Sequence, residues 1–169
     1  KSIEKNSGIF VIDNFISNTE CTEIIKFFEK SDNKHFGVTQ AVIDNNEDPM
    51  SVLTRGKRTI DMNMNDFKCD TNHNFQEKKT FMKYNNLIKK RLNSIGNNFK
   101  NHYLWTEKKE QYAAANITIG KYFKKSGGYD YHNDFIFDKK SPIRLLTFVL
   151  YLNDICEGGE TKFLHQDKK

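Results

Sequence analysis

The residues best equipped for chemistry are His132 and Asp134, two apart in a stretch from Tyr129 to Phe135 in which aromatic and polar residues alternate. A period of two reads as a β-strand and sends both side chains to one face. An imidazole and a carboxylate on one face can hold a divalent metal. With a third ligand, usually a second histidine, they would form the two-histidine, one-carboxylate set that leaves positions on iron(II) open for a cosubstrate and O2. A strand histidine hydrogen-bonded to a nearby carboxylate has the same spacing, so the pair alone leaves both readings open.

The residues C-terminal to the pair narrow the choice. Arg144 and Thr147 lead to Tyr151, Leu152 and Asn153, and then come Gly158, Gly159, Thr161 and Phe163. Order, spacing and residue type together resemble the prolyl 4-hydroxylase type of iron(II)/2-oxoglutarate-dependent dioxygenase. Tyr122 and Tyr129 resemble tyrosines that precede the histidine in that family, and Phe10 to Ser17 with the helix after it resembles the family's N-terminal support segment. The match is strong over residues 115–164 and looser before them.

The resemblance implies an α+β chain with a double-stranded β-helix (jelly-roll) core behind supporting N-terminal helices. It implies Fe(II), 2-oxoglutarate and O2 as cofactors, with L-ascorbic acid as a candidate ligand, and hydroxylation of a C–H bond with succinate and CO2 as coproducts. The substrate it suggests is a prolyl residue in a peptide or protein. A lysyl side chain, a free amino acid or a nucleobase are the alternatives, beside a non-catalytic jelly-roll binding module. By position, His132 and Asp134 match the first two metal ligands, and Tyr151 matches a tyrosine whose hydroxyl bonds the far carboxylate of 2-oxoglutarate. Tyr122 matches a cosubstrate contact or a barrel aromatic. Thr147 faces the cosubstrate or packs in the core. Tyr129 is a packing or substrate-side residue, and Arg144 faces the substrate cleft or pairs with an acid.

The family also needs a second histidine and then a Lys or Arg, on later strands. His165 follows His132 at less than the family interval, and Lys168 and Lys169 read as a solvated tail. The expectation is a chain that lacks its last strands; a degenerate relative that keeps the scaffold is the rival.

The supporting elements are legible upstream. Residues 8–12, Gly8 to Ile12, are β-branched and aromatic, a strand. Ser17 and Glu20 form a capping box, and Cys21, Ile24, Ile25 and Phe28 recur at helical spacing, which predicts a helix over about 18–30. Residues 31–74 read as polar and irregular, with a weak strand over Arg58 to Asn63. A second helix, with Asn74 as its cap, carries a stripe of Phe81, Tyr84, Ile88, Leu92, Ile95 and Phe99. Ala115 to Ile119 alternates as a strand. Arg144 to Leu152 is nearly all apolar, as in a strand covered on both faces. Glu157 to Gly159 reads as a turn that needs positive φ.

Length and composition suit one domain with a real core: 169 residues, 37% hydrophobic and 29% charged. Residues 1–110 read as the support segment and 111–169 as the first part of the jelly-roll. The net charge of +5 comes from dispersed lysines, densest at Arg55 to Arg58, with no basic and aromatic interleaving of the kind nucleic acid needs. Three widely spaced cysteines, Cys21, Cys69 and Cys156, argue against a disulfide framework or structural zinc. Neither a signal peptide nor a long apolar run is seen, so an intracellular, cytoplasmic setting without a membrane is expected.

Overall fold

A computed structural model describes residues 2–3, 8–37, 57–63, 72–100, 117–132 and 146–164, with side chains of the long helix described over 78–95. The architecture is α+β. The chain divides into two compact units, one of Lys1–Lys34, Met62–Ile119 and Thr161–Lys169, the other of His35–Asp61 and Gly120–Glu160.

The first unit is helical. β1 (Ser2–Ile3) pairs antiparallel with β2 (Phe10–Val11), in the register Ser2 with Val11 and Ile3 with Phe10. Asn14, at φ 54°, turns the chain after β2. Asn tolerates that left-handed region better than a bulky residue does. α1 (Asn18–Lys30) starts at Ser17, whose hydroxyl accepts from Glu20 N at 3.2 Å while Ser17 N donates to Glu20 Oε2 at 2.7 Å. This reciprocal pair satisfies two amides that a helix start leaves without intrahelical partners. α2 (Asn72–Lys100) lies against α1.

Both helices bury one stripe. Ile24, Phe27 and Phe28 of α1 and Phe81, Tyr84 and Ile88 of α2 are buried, and the Phe27 and Tyr84 rings sit 6.5 Å apart, tilted by 47°. Each such side chain contributes about 1.5–3 kcal/mol by leaving water. Polar groups edge the stripe. Tyr84 Oη donates to Glu23 Oε2 at 2.6 Å, and Lys83 Nζ reaches the same oxygen at 3.2 Å. Arg91 donates to the Phe15 carbonyl and to Glu20 Oε1, the latter at 3.3 Å. Arg91 therefore ties α2 to the capping box that starts α1.

The second unit is built on a sheet. β3 (His35–Phe36), β4 (Lys57–Asn63) and β5 (Thr118–Tyr122) are neighbours in that order, and β6 (Gly128–Tyr129) also pairs with β4. β3 meets β4 antiparallel, His35 with Asp61 and Phe36 with Ile60. β6 meets β4 antiparallel, Lys57 with Tyr129 and Arg58 with Gly128. The turn before β6 closes with Gly127 N donating to Phe123 O at 2.7 Å. A β-carbon on Gly127 would stand 2.4 Å from Phe123 N, so only glycine fits. Arg58 Nε donates to Ser126 O at 2.6 Å and holds this turn against β4.

Several expectations change. The weak strand expected over Arg58 to Asn63 is present as the seven-residue β4, and the described part of the 31–74 stretch also holds β3, which was not expected. The two residues of β3 pair through their backbones, which hydrophobic periodicity does not register. α2 begins at Asn72, so Asn74 lies inside the helix and is not its cap. The strand expected over 115–119 is shifted to Thr118–Tyr122; residues 115 and 116 lie outside the described residues. Of the strand expected over 129–135, β6 covers Tyr129 alone and the chain bends at Tyr131; residues 133–135 lie outside the described residues. Residues 146–152 form no ladder among the described residues, and Leu146, Phe148 and Val149 are exposed rather than covered. An apolar run states what a segment can bury, but cover has to come from another element.

Candidate functional site

The site begins on one face of β4. Lys57, Thr59 and Asp61 alternate along the strand and so share a face. That face is polar and yet closed: Thr59 and Asp61 are 0% and 4% exposed. Thr59 Oγ1 donates to Asp61 Oδ1 at 2.7 Å, and the Lys57 ammonium binds Asp61 Oδ2. A buried carboxylate is costly unless paired and hydrogen-bonded, and Asp61 has both. Room for it comes from neighbouring glycines. A β-carbon on Gly37 would approach Asp61 Oδ2 to 2.9 Å, and one on Gly120 of β5 would approach Oδ1 to 3.1 Å.

Tyr129, the register partner of Lys57, presents its ring 5.5 Å from the Lys57 ammonium. The bend after β6 then folds His132 back onto Tyr129, the two rings stacked with centroids 3.8 Å apart and planes 21° from parallel. His132 Nδ1 lies 2.7 Å from the Asp130 carbonyl oxygen. A carbonyl can only accept, so Nδ1 carries the hydrogen, and in the neutral ring the lone pair resides on Nε2. Fixing one ring nitrogen by a backbone carbonyl is how a histidine is oriented and its tautomer set for metal binding.

Tyr122, at the end of β5, completes the group. Withdrawal of its phenol from water raises its pKa first; the Asp61 carboxylate and then the phenols of Tyr129 and Tyr151 raise it further. With 52% of its surface exposed, Tyr122 stands half in solvent, and only the direction of that shift carries weight. Tyr122 thus feels the charge of the buried Asp61 carboxylate.

Of the residues singled out in the sequence, His132 and Tyr129 are brought into contact. Tyr151 is open to solvent, and Thr147 is exposed rather than turned into a packed interior. Asp134, Arg144, His165, Lys168 and Lys169 lie outside the described residues. Among the described residues no three His, Cys, Asp or Glu side chains gather as a metal site. Gly158 and Gly159 have φ of 77° and 75°, as the turn reading expects. Cys21 and Cys156 are thiols, not joined in a disulfide, and Cys69 is outside the described residues. Among the described residues no helix is long and apolar enough to cross a membrane.

Lys57, Thr59 and Asp61 escaped sequence reading. The weak strand over Arg58 to Asn63 was legible, but the chemistry of its polar face was not drawn from it, and Lys57 counted only as part of a dispersed basic charge. No protein-family model, curated protein or solved structure matches this chain.

Proposed function

We propose that this chain acts as an iron(II)/2-oxoglutarate-dependent dioxygenase of the prolyl 4-hydroxylase type on a double-stranded β-helix (jelly-roll) core, with prolyl residues of a peptide or protein as substrate. The observation that carries the reading is the Nδ1–H of His132 held by the Asp130 carbonyl, which leaves Nε2 as the donor nitrogen. His132 and Asp134 would hold the ion through a nitrogen and a carboxylate oxygen, the donor types that suit iron(II). When bound, the metal and 2-oxoglutarate supply oxidative decarboxylation coupled to C–H hydroxylation, with succinate and CO2 as coproducts.

The chain's own residues bind and aim. The Tyr151 hydroxyl is assigned, from the motif, to donate to the far carboxylate of 2-oxoglutarate. Tyr122 is assigned a cosubstrate contact from the motif, and its raised pKa keeps its proton available for donation. Tyr129 holds the imidazole by stacking. Arg144 and Thr147 are assigned to the substrate side and the cosubstrate side from the motif alone.

The test is succinate release from the full-length protein with Fe(II) and 2-oxoglutarate, beside mass spectrometry of a proline-rich peptide for the gain of one oxygen. Release that is lost in His132→Ala, with an unchanged circular dichroism spectrum, supports the reading. Release undiminished in that variant refutes the site. Succinate without peptide oxidation moves the substrate to a lysyl side chain, a free amino acid or a nucleobase. Metal binding without succinate favours a non-catalytic binding module.

A further inference from the structure

A series of contacts in the sheet unit runs from a buried carboxylate to the candidate ligand. Asp61 is fixed by Thr59 Oγ1 at 2.7 Å and sits over the glycine positions 37 and 120. Its other oxygen binds the Lys57 ammonium, whose side chain is 16% exposed. That ammonium stands 5.5 Å from the Tyr129 ring, and the ring stacks at 3.8 Å on the His132 imidazole. A lysine so enclosed would otherwise extend its flexible stem to water; the pairing with Asp61 sets where its charge sits. An aromatic face attracts a cation over it, so a fixed ammonium fixes the ring, and Lys57 and Tyr129 already face each other as register partners.

We propose that Lys57 and Asp61 are positioning residues for His132, acting through the Tyr129 ring. The proposal rests on the reading of His132 as a metal ligand. The Asp130 carbonyl sets which nitrogen of the imidazole carries hydrogen, and the stack sets the plane in which the other nitrogen points. Two restraints at right angles leave the ring one orientation before any ion arrives. Neither Lys57 nor Asp61 is assigned a contact with metal or cosubstrate.

The test uses proton NMR of the full chain, with the His132 ring signals identified by their loss in His132→Asn. An imidazole stacked on a phenol is shielded, so its signals lie upfield of those of a solvated histidine. Lys57→Met is expected to move the His132 signals toward the solvated position and to weaken Mn(II) binding roughly 10-fold, the lower end of the effect of losing a group that orients a ligand. Lys57→Arg and Tyr129→Phe, which keep the cation and the ring respectively, are expected to leave both readouts near wild type. A natively folded Lys57→Met protein with unshifted His132 signals and unchanged Mn(II) affinity overturns the proposal. So does a shift of the same size at every histidine, which would report general loosening. Asp61→Asn is expected to act as Lys57→Met does; if it fails to fold, the Lys57 pair of variants decides alone. The metal reading fails separately: Mn(II) would then leave the wild-type His132 signals unbroadened, while their upfield position still decides whether Lys57 positions the ring.

Discussion

Gly37 offers the sharpest perturbation of the buried carboxylate. It stands across from Thr59, with Gly37 N donating to Thr59 O at 2.9 Å. A β-carbon there would lie 2.1 Å from Thr59 Oγ1 and 2.9 Å from Asp61 Oδ2. In Gly37→Ala either the Thr59–Asp61 hydrogen bond breaks or β3 backs away from β4. Loss of a hydrogen bond to a charged group costs about 1.5–3 kcal/mol. Overpacking costs about 1–3 kcal/mol. These are alternatives, so the cheaper one governs, and the expected loss is about 2 kcal/mol rather than the sum. At a urea slope of about 2 kcal/mol per molar, the unfolding midpoint falls by about 1 M. Adding Thr59→Ala removes the obstructing hydroxyl, so the double variant should be less destabilised than the sum of the two single changes. Adding Thr59→Val should not help, because a methyl takes the place of the hydroxyl. A midpoint unchanged in Gly37→Ala, or equal rescue by Val and Ala, would refute the packing described around Asp61.

Ile24, 1% exposed between the helices, should cost about 2–5 kcal/mol on replacement by Ala, read as a lowered thermal or urea midpoint. Glu20 is held below the ordinary glutamate range by the Ser17 amide first, then the Ser17 hydroxyl, with Arg91 adding to it. A carboxylate depressed on folding stabilises the fold above its unfolded value and loses that contribution as pH falls through its folded one. Glu20→Gln should therefore flatten the acid limb of stability against pH, followed by circular dichroism, and leave the neutral side shallow as before. Tyr151→Phe should raise the 2-oxoglutarate concentration needed for half-maximal succinate release; an unchanged requirement removes Tyr151 from the site.

The elements written in local chemistry were the ones legible in advance. Ser17 and Glu20 announce α1 because a capping box is satisfied within four residues, and the structure has the helix at Asn18–Lys30. Phe81, Tyr84 and Ile88 announce the buried stripe of α2 because a helix repeats its face every turn. The start of α2 was missed, since Asn74 can cap but two helical residues precede it. β1 and β3 are two residues each, too short to show a period of their own, and β3 exists only through a partner some 25 residues away. The same holds for the site. His132 stood out by its spacing from Asp134, and Tyr122, Tyr129 and Tyr151 by the family resemblance, but the contacts that join His132 to Asp61 depend on β4 lying beside β6, some 70 residues along the chain.

The turn at Gly158 and Gly159 carries a lesson in chirality. An L-alanine at 158 would meet no atom within 4 Å, so the objection to it is handedness, not room. At 159 both objections apply, because the added carbon would stand 2.1 Å from Ile155 Cδ1. Left-handed backbone costs an L-residue about 1–2 kcal/mol, a penalty that its mirror image would not meet. A ribosome supplies one achiral amino acid, and this turn uses it twice in succession.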